Sequence, residues 1–290
     1  MTVLVTGASG FIGSHFVEYL EGRGIDFIES NIRYPYLEHP HLTGISSVVH
    51  LAGVAHNKAI NDAHFYQINC DFPVNLALAA KKSGVRLFIY ISSVNVYDIS
   101  QNQPFKESSP TNYYNGHFVK SKLDAERNLL DLSDGEFNVI IIRCPLVYGI
   151  NAPANFSKIM SFSSRFIILP FGVAKSYRSY LSIGNLCSAL EVCLISYGNN
   201  SGIYNVSDGV DMNMNDLTTF IRSGSGKKVL QLPISESIMK NICKVFGLGS
   251  IFTPLFTSLQ IDVSYFRRQF NWDPTETPEE AIKKIWMKND

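Results

Sequence analysis

The chain has 290 residues, with 25 Lys+Arg against 25 Asp+Glu, a formal net charge of zero and a pI near 7.0. That balance argues against a basic nucleic-acid footprint and against electrostatic docking on anionic membranes. With 46% hydrophobic and 17% charged residues, the composition excludes disorder and supports one large domain or two smaller ones. No apolar run reaches the roughly 18 residues of a spanning helix. The start, MTVLVTG, lacks the basic region of a signal peptide, so a cytoplasmic protein is expected. The five cysteines (Cys70, Cys144, Cys187, Cys193, Cys243) are scattered without a C-x-x-C pair. They read as reduced thiols, and no metal site is expected.

In chain order, Thr2–Thr6 is a buried-strand run, and Gly10–Glu21 carries Phe11, Ile12, Phe16, Val17 and Leu20 at helical spacing. Ile25–Glu29 and Ser47–Ala52 (SVVHLA) are the next strands, followed by a long helix over Ala63–Ser83. Leu87–Ser92 (LFIYIS) is a strand, Gly116–Leu132 a helix and Asn138–Arg143 (NVIIIR) a strand. Continuous apolar strands separated by helices predict a parallel sheet covered on both faces, with ligands at its carboxyl edge. After Gly149 the pattern loosens. A helix over Asn185–Tyr197 and a strand over Gly202–Val206 return to the sheet, and a charged amphipathic helix spans Thr277–Lys288. The expected division is a dinucleotide-binding unit over 1–148, joined by 173–206, and a smaller substrate-binding cap of 149–172 and 207–290.

Thr6-Gly7-Ala8-Ser9-Gly10-Phe11-Ile12-Gly13 lies between the first strand and the first helix. There Gly7 allows a tight turn, Gly10 lets backbone approach a pyrophosphate, and Gly13 lets the helix pack closely on the strand. The helix N-terminus offers unpaired N–H groups and a positive dipole end to an anion.

TGASGFIG at the start, HLAG at His50–Gly53, ISSVNVY at Ile91–Tyr97, SKLDAE at Ser121–Glu126 and RCPLVYG at Arg143–Gly149 follow in that order. FNWDPTETPEEAI (Phe270–Ile282) closes the chain. This series resembles the extended short-chain dehydrogenase/reductase family, within it the nucleotide-sugar epimerase/dehydratase group. The resemblance implies a Rossmann-like, doubly wound α/β fold with a smaller C-terminal substrate-binding domain. It also implies hydride transfer between a sugar carbon and a nicotinamide. On the matching motifs, the cofactor would be held by Gly7, Ser9, Gly10, Phe11, Ile12, Gly13, Leu51, Ala52, Gly53, Asn69, Lys122 and Pro145.

In such enzymes a Tyr one helical turn before a Lys is the general acid or base. The Lys holds the nicotinamide ribose and lowers the Tyr pKa from about 10. A Ser or Thr at the neighbouring strand end orients the sugar hydroxyl. Lys122 and Ser93 match two of these three positions, but the position four before Lys122 is Phe118. Tyr113 and Tyr114 are nine and eight residues before Lys122, and His117 is about 100° away round the helix. Three readings stay open. Phe118 replaces a native Tyr in a substrate-trapping variant; a substitute such as His117 or Tyr114 carries the proton; or the chain is a non-catalytic member that binds nucleotide-sugar or dinucleotide.

The group's 4,6-dehydratases resemble one another in an Asp-Glu pair after the Ser/Thr, where this chain has Val94 and Asn95. Dehydration is therefore disfavoured, leaving 4-epimerase and 4-keto reductase. Ala154–Met160, Leu169–Gly172, Ser176–Leu186 and Ser258–Ser264 are similar to bacterial enzymes for UDP-sugars in surface-polysaccharide synthesis, including UDP-N-acetylquinovosamine 4-reductases. By that likeness Ser93, Asn95, Asn155, Arg178 and Asp262 line the substrate, with Asn155 and Arg178 at the diphosphate.

For the cofactor, the slot that usually holds an acid for the ribose 2′-OH falls near neutral Asn31, and Arg33 follows. The reading leans to NADP, with Glu29 and NAD the alternative. A homodimer through 63–83 and 116–132 is implied by the resemblance. The apolar stretch Ile238–Phe256 is read as a lid or packing segment in preference to a membrane contact.

Overall fold

A computed structural model describes residues 1–30, 42–54, 62–196, 200–245 and 256–287, with the backbone alone for residues 62, 154, 155, 236, 240 and 242–244. In its first half, β1 (Val3–Thr6), α1 (Phe11–Gly22), β2 (Phe27–Ser30) and β3 (Ser47–His50) are followed by α2 (Asp62–Tyr66), a π-helical turn (Gln67–Asp71) and α3 (Phe72–Lys82). Then come β4 (Leu87–Ser93), α4 (His117–Leu130) and β5 (Asn138–Cys144). The second half runs β6 (Leu146–Tyr148), α5 (Ala154–Arg165), β7 (Ile168–Leu169), β8 (Tyr180–Ser182), α6 (Ile183–Ile195), β9 (Gly202–Asn205), α7 (Met214–Gly224), β10 (Leu230–Gln231), α8 (Glu236–Val245), α9 (Ser264–Phe270) and α10 (Pro278–Met287).

The main sheet has the order β2-β1-β3-β4-β5-β9, every pair parallel. The strands are apolar along their whole length because both faces are covered. Phe16 and Leu20 of α1 and Leu186, Leu190 and Leu194 of α6 pack on one face; Leu76 and Ala80 of α3 and Ala125 and Leu129 of α4 pack on the other. The chain leaves β1 for β2 on one side and returns to β3 on the other. That reversal opens a crevice at the carboxyl ends of β1 and β3.

Several expected elements shift or multiply. β2 starts two residues later than its apolar run. The helix expected over 63–83 is interrupted by the π-helical turn. The stretch after Gly149 is more regular than its composition suggests: β6 pairs with β8, β7 pairs with β10, and α5 packs beside α7. These short elements are stabilised by a second core, built on Phe156, Ile159, Phe171, Leu217, Ile221 and Ile282. Phe266, Phe270 and Trp272, late in the chain, join the sheet-side core instead.

The closing motif is fastened to α6 through Asn185, which is fully buried. Its Oδ1 accepts from the backbone N–H groups of Thr275 (2.7 Å) and Glu276 (3.1 Å). Its Nδ2 donates to Asp208 Oδ1 (2.8 Å) and to the Glu276 carbonyl (2.9 Å). Ser182 Oγ caps α6 and also donates to Glu276 Oε1 at 2.6 Å. Truncation would strand these buried groups, each costing about 1–3 kcal/mol when left unpaired. Asn185→Ala is therefore expected to lower the unfolding free energy by about 2–4 kcal/mol in urea titration. A change under about 0.5 kcal/mol would show that the tail is fastened elsewhere.

Candidate active site

β1 ends at Thr6, and the chain turns on Gly7, whose φ of +70° only glycine adopts without strain. A side chain there would also meet the Ala52 amide nitrogen at 2.5 Å. Gly10 N–H donates to the Gly7 carbonyl at 2.9 Å, closing the turn. A side chain on Gly13 would collide with that same carbonyl, so α1 lies against β1 as closely as its backbone allows. Gly10 has a different setting. It is exposed, and Gly7 O at 3.2 Å is the one described atom a Cβ would meet there. No side chain caps α1, so its first N–H groups open toward the exposed Ser9–Gly10 corner.

A cleft of about 200 Å³ lies beside this corner. Ile12, His50, Leu51, Ala52, Gly53, Ser93, Phe118, Lys122, Cys144 and Pro145 are among the residues that line it. Of the cofactor positions expected from sequence, Ile12, Leu51, Ala52, Gly53, Lys122 and Pro145 thus line this cleft, together with Ser93 and Phe118. Asn69 plays a different part. Its Oδ1 accepts from Val54 N–H (3.0 Å) and its Nδ2 donates to the Val54 carbonyl (2.9 Å). Both ends of the amide are used to hold the loop after β3, so Asn69 shapes the cleft from behind.

The π-helical turn explains how Asn69 comes to face that loop. Pro73 lacks an N–H, and its ring would clash with the carbonyl four residues back, that of Asn69. The wider turn moves this carbonyl out of the helix, where Tyr90 Oη donates to it at 2.7 Å. The ring of Tyr90 in turn lies 4.4 Å from Lys122 Nζ.

Phe118 and Lys122 are one turn apart on α4 and meet in the cleft. Lys122 Nζ donates to the Ile91 carbonyl at 2.9 Å. Burial draws its pKa down to about 8, with Glu126 pulling the other way. The alternative proton carriers stand elsewhere. Tyr113 Oη donates to Asp124 at 2.9 Å, as Tyr66 does at 3.1 Å. Tyr114 is 93% exposed, and His117 is exposed at the start of α4. None of the three lines the cleft.

Ser93 Oγ accepts from Asn95 N–H at 3.2 Å, and Asn95 is exposed on the short 3₁₀ turn that follows β4. Arg178 lies on the cap side, its backbone bridged to Met212 and Leu259 and its Nη1 donating to the Thr257 carbonyl at 2.6 Å. Burial lowers its pKa from the usual arginine value. Asp262 is partly buried, and the Ser264 N–H at 2.8 Å holds its carboxyl below the usual range. Neither Arg178 nor Asp262 touches the cleft described above. Asn31 and Arg33 lie outside the described residues, as does the side chain of Asn155.

A family model, the NAD dependent epimerase/dehydratase family, matches residues 3–41 and 38–207. The chain belongs to this family. It is 30% identical, over 98% of its length and 94% of the relative's, to a UDP-glucose 4-epimerase of Vibrio cholerae. It is 26% identical, over 83% of its length and 78% of the relative's, to an N-acetyl-α-D-glucosaminyl-diphospho-ditrans,octacis-undecaprenol 4-epimerase of Escherichia coli O157:H7. Its fold matches that of the Bordetella bronchiseptica enzyme WbmG in complex with NAD and UDP, with a TM-score of 0.73 at 18% identity over 99% and 94% of the two chains.

Two features of this family member are absent from the sequence reading. Ser92 Oγ donates to Glu126 Oε1 at 2.5 Å, and Arg143 grips the same carboxylate through Nε (3.1 Å) and Nη2 (2.6 Å). Glu126 follows Lys122 by four residues, which was the available signal that both share a helix face. The other feature is His50. Thr6 Oγ1 lies 2.8 Å from its Nδ1, and its Nε2 has no hydrogen-bond partner among the described residues. Burial, with Lys122 nearby, holds its pKa down to about 3.

Because His50 is neutral when folded and titrates near 6.5 when unfolded, its contribution is complete above about pH 6.5 and is lost as pH falls toward 3. His50→Asn should therefore remove about 2 kcal/mol of the stability difference between pH 7 and pH 5, read from urea titrations at both. Identical pH slopes in the two proteins would contradict the buried neutral imidazole.

Proposed function

We propose that this chain binds a nicotinamide dinucleotide along the carboxyl edge of the sheet and a UDP-sugar under a cap built from 149–172 and 207–290. The proposed reaction is 4-epimerisation or 4-keto reduction of that sugar, in surface-polysaccharide synthesis. The observation that carries this reading is the meeting of Ser93, Phe118 and Lys122 in one cleft beside the Gly7–Gly13 corner. The glycine geometry fits a dinucleotide: Gly7 and Gly13 leave no room for side chains, while Gly10 is open where a diphosphate would approach. A bound nicotinamide supplies hydride exchange with the sugar carbon. Lys122, fixed by the Ile91 carbonyl, would hold its ribose, and Ser93 would orient the sugar hydroxyl. NADP is the preferred form on the strength of Asn31 and Arg33. The relatives named for 4-epimerases of UDP-glucose and of an undecaprenol-linked sugar support both the reaction and the setting.

Phe118 fills the position of the phenol but has no proton to give or take. It favours a second reading, in which the chain binds the same ligands without turning them over. The two separate on one substitution. Phe118→Tyr should raise turnover of a UDP-sugar by at least about a hundredfold, the scale of a positioned acid–base group. Equal turnover in both forms would mean that another residue carries the proton, and zero turnover in both would favour the binding protein.

Arg178 tests the substrate assignment independently. Arg178→Ala should weaken UDP binding by about 2–4 kcal/mol through loss of a charge-assisted contact. Dinucleotide affinity should stay unchanged. Arg178→Lys should restore only part of the loss, since an ammonium lacks the planar fork. Normal UDP titration of Arg178→Ala would remove Arg178 from the diphosphate site.

A further inference from the structure

The zero net charge hides a strong segregation. Between Glu136 and Glu191 the sequence has no acidic residue but contains Arg143, Lys158, Arg165, Lys175 and Arg178. Between Asp216 and Glu236 it again has none and contains Arg222, Lys227 and Lys228. The fold brings these two stretches together. β7 and β10 pair in parallel with Ile168 opposite Leu230, and Leu232 N–H donates to the Leu169 carbonyl at 2.7 Å. The buried Arg222 ties them at one end, donating to the Ser164 carbonyl (2.8 Å) and to the Lys228 carbonyl (2.8 Å).

The surface thus formed is apolar. Ile167 is 64% exposed, Ile168 and Leu230 each 54%, and Phe166, Val173 and Leu232 are also among the exposed large hydrophobics. Exposed Arg165 directly precedes Phe166, and exposed Lys227 and Lys228 precede Leu230 with Val229 between. Isolated exposed hydrophobics are ordinary, but a contiguous cluster marks an interaction surface. An apolar strip bordered by cations, in stretches free of acids, is the pairing that holds a protein at an anionic bilayer surface, one signal by insertion and the other by attraction. A protein partner with an acidic face would use the cations but would have less use for the exposed apolar side chains between them.

We infer that the β7–β10 ribbon of the cap, with Ile167, Ile168 and Leu230 flanked by Arg165, Lys227 and Lys228, docks on anionic lipid bilayers. The chain would then work at the membrane surface without crossing it. Among the described residues no helix is long and apolar enough to span a bilayer. Docking here leaves the cleft at the sheet edge untouched, because none of these residues lines it.

The test is co-sedimentation of the full chain with vesicles of phosphatidylglycerol in phosphatidylcholine, and with pure phosphatidylcholine. The expected result is binding to the anionic vesicles alone, weakening as salt rises. Lys227→Glu with Lys228→Glu, and separately Ile167→Glu with Leu230→Glu, should each cut vesicle partitioning at least about tenfold while leaving thermal melting unchanged. Failure of the wild type to sediment with anionic vesicles overturns the inference, as does undiminished binding by both double variants. So does a sedimentation-velocity result in which Ile167→Glu with Leu230→Glu dissociates a self-associated species but binds vesicles as before, since the ribbon would then face a second copy.

Discussion

The cleft end of this molecule depends on one buried ion pair. Arg143 at the end of β5 and Glu126 on α4 are almost fully shielded, with side chains 4% and 3% exposed, and meet in a two-pronged contact. Ser92 on β4 completes the carboxylate's partners. Three elements are thereby pinned at one depth. A desolvated charge pair is costly to form and costlier to break, because either partner alone would be a buried unpaired charge. The rotation of α4 about its axis is thus fixed at Glu126, and one turn earlier that same helix face presents Lys122, with Phe118 a turn before it.

The consequence is a cleft in which Phe118 and Lys122 stand one turn apart on a helix face whose rotation is fixed. Lys122 is buried, aligned by the Ile91 carbonyl and the Tyr90 ring, and drawn toward neutrality by desolvation. Cys144, across the same cleft, is pushed up to about 12 by burial, with Lys122 opposing, so it stays a neutral thiol. The nearby phenols of Tyr113 and Tyr66 are committed to Asp124.

Much of this was legible in the sequence. The order of apolar runs predicts the parallel sheet, and the structure bears out the tight turn expected at Gly7 and the close packing expected at Gly13. Lys122 and Phe118 sharing a face follows from a helical period of 3.6. What escaped depends on long-range partners. The roles of Glu126, Arg143 and His50 arise from neighbours 17 to 44 positions away, which local pattern does not encode. The short elements of the cap are stabilised by a tertiary core rather than by propensity, so their sequences read as loose. Equal totals of acids and bases also leave unseen two long acid-free stretches that the fold sets side by side.

What the π-helical turn before α3 stores is a count of residues. It lets Pro73 begin a regular helix while Asn69 still reaches Val54 and Tyr90. Deleting a single residue between positions 67 and 71 would remove the slack and turn everything before it by about 100° relative to α3. Asn69 would leave its loop even if every side chain in the segment kept its identity. Here the number of residues is itself information, and substitution scanning would pass over it; only insertion or deletion can expose it.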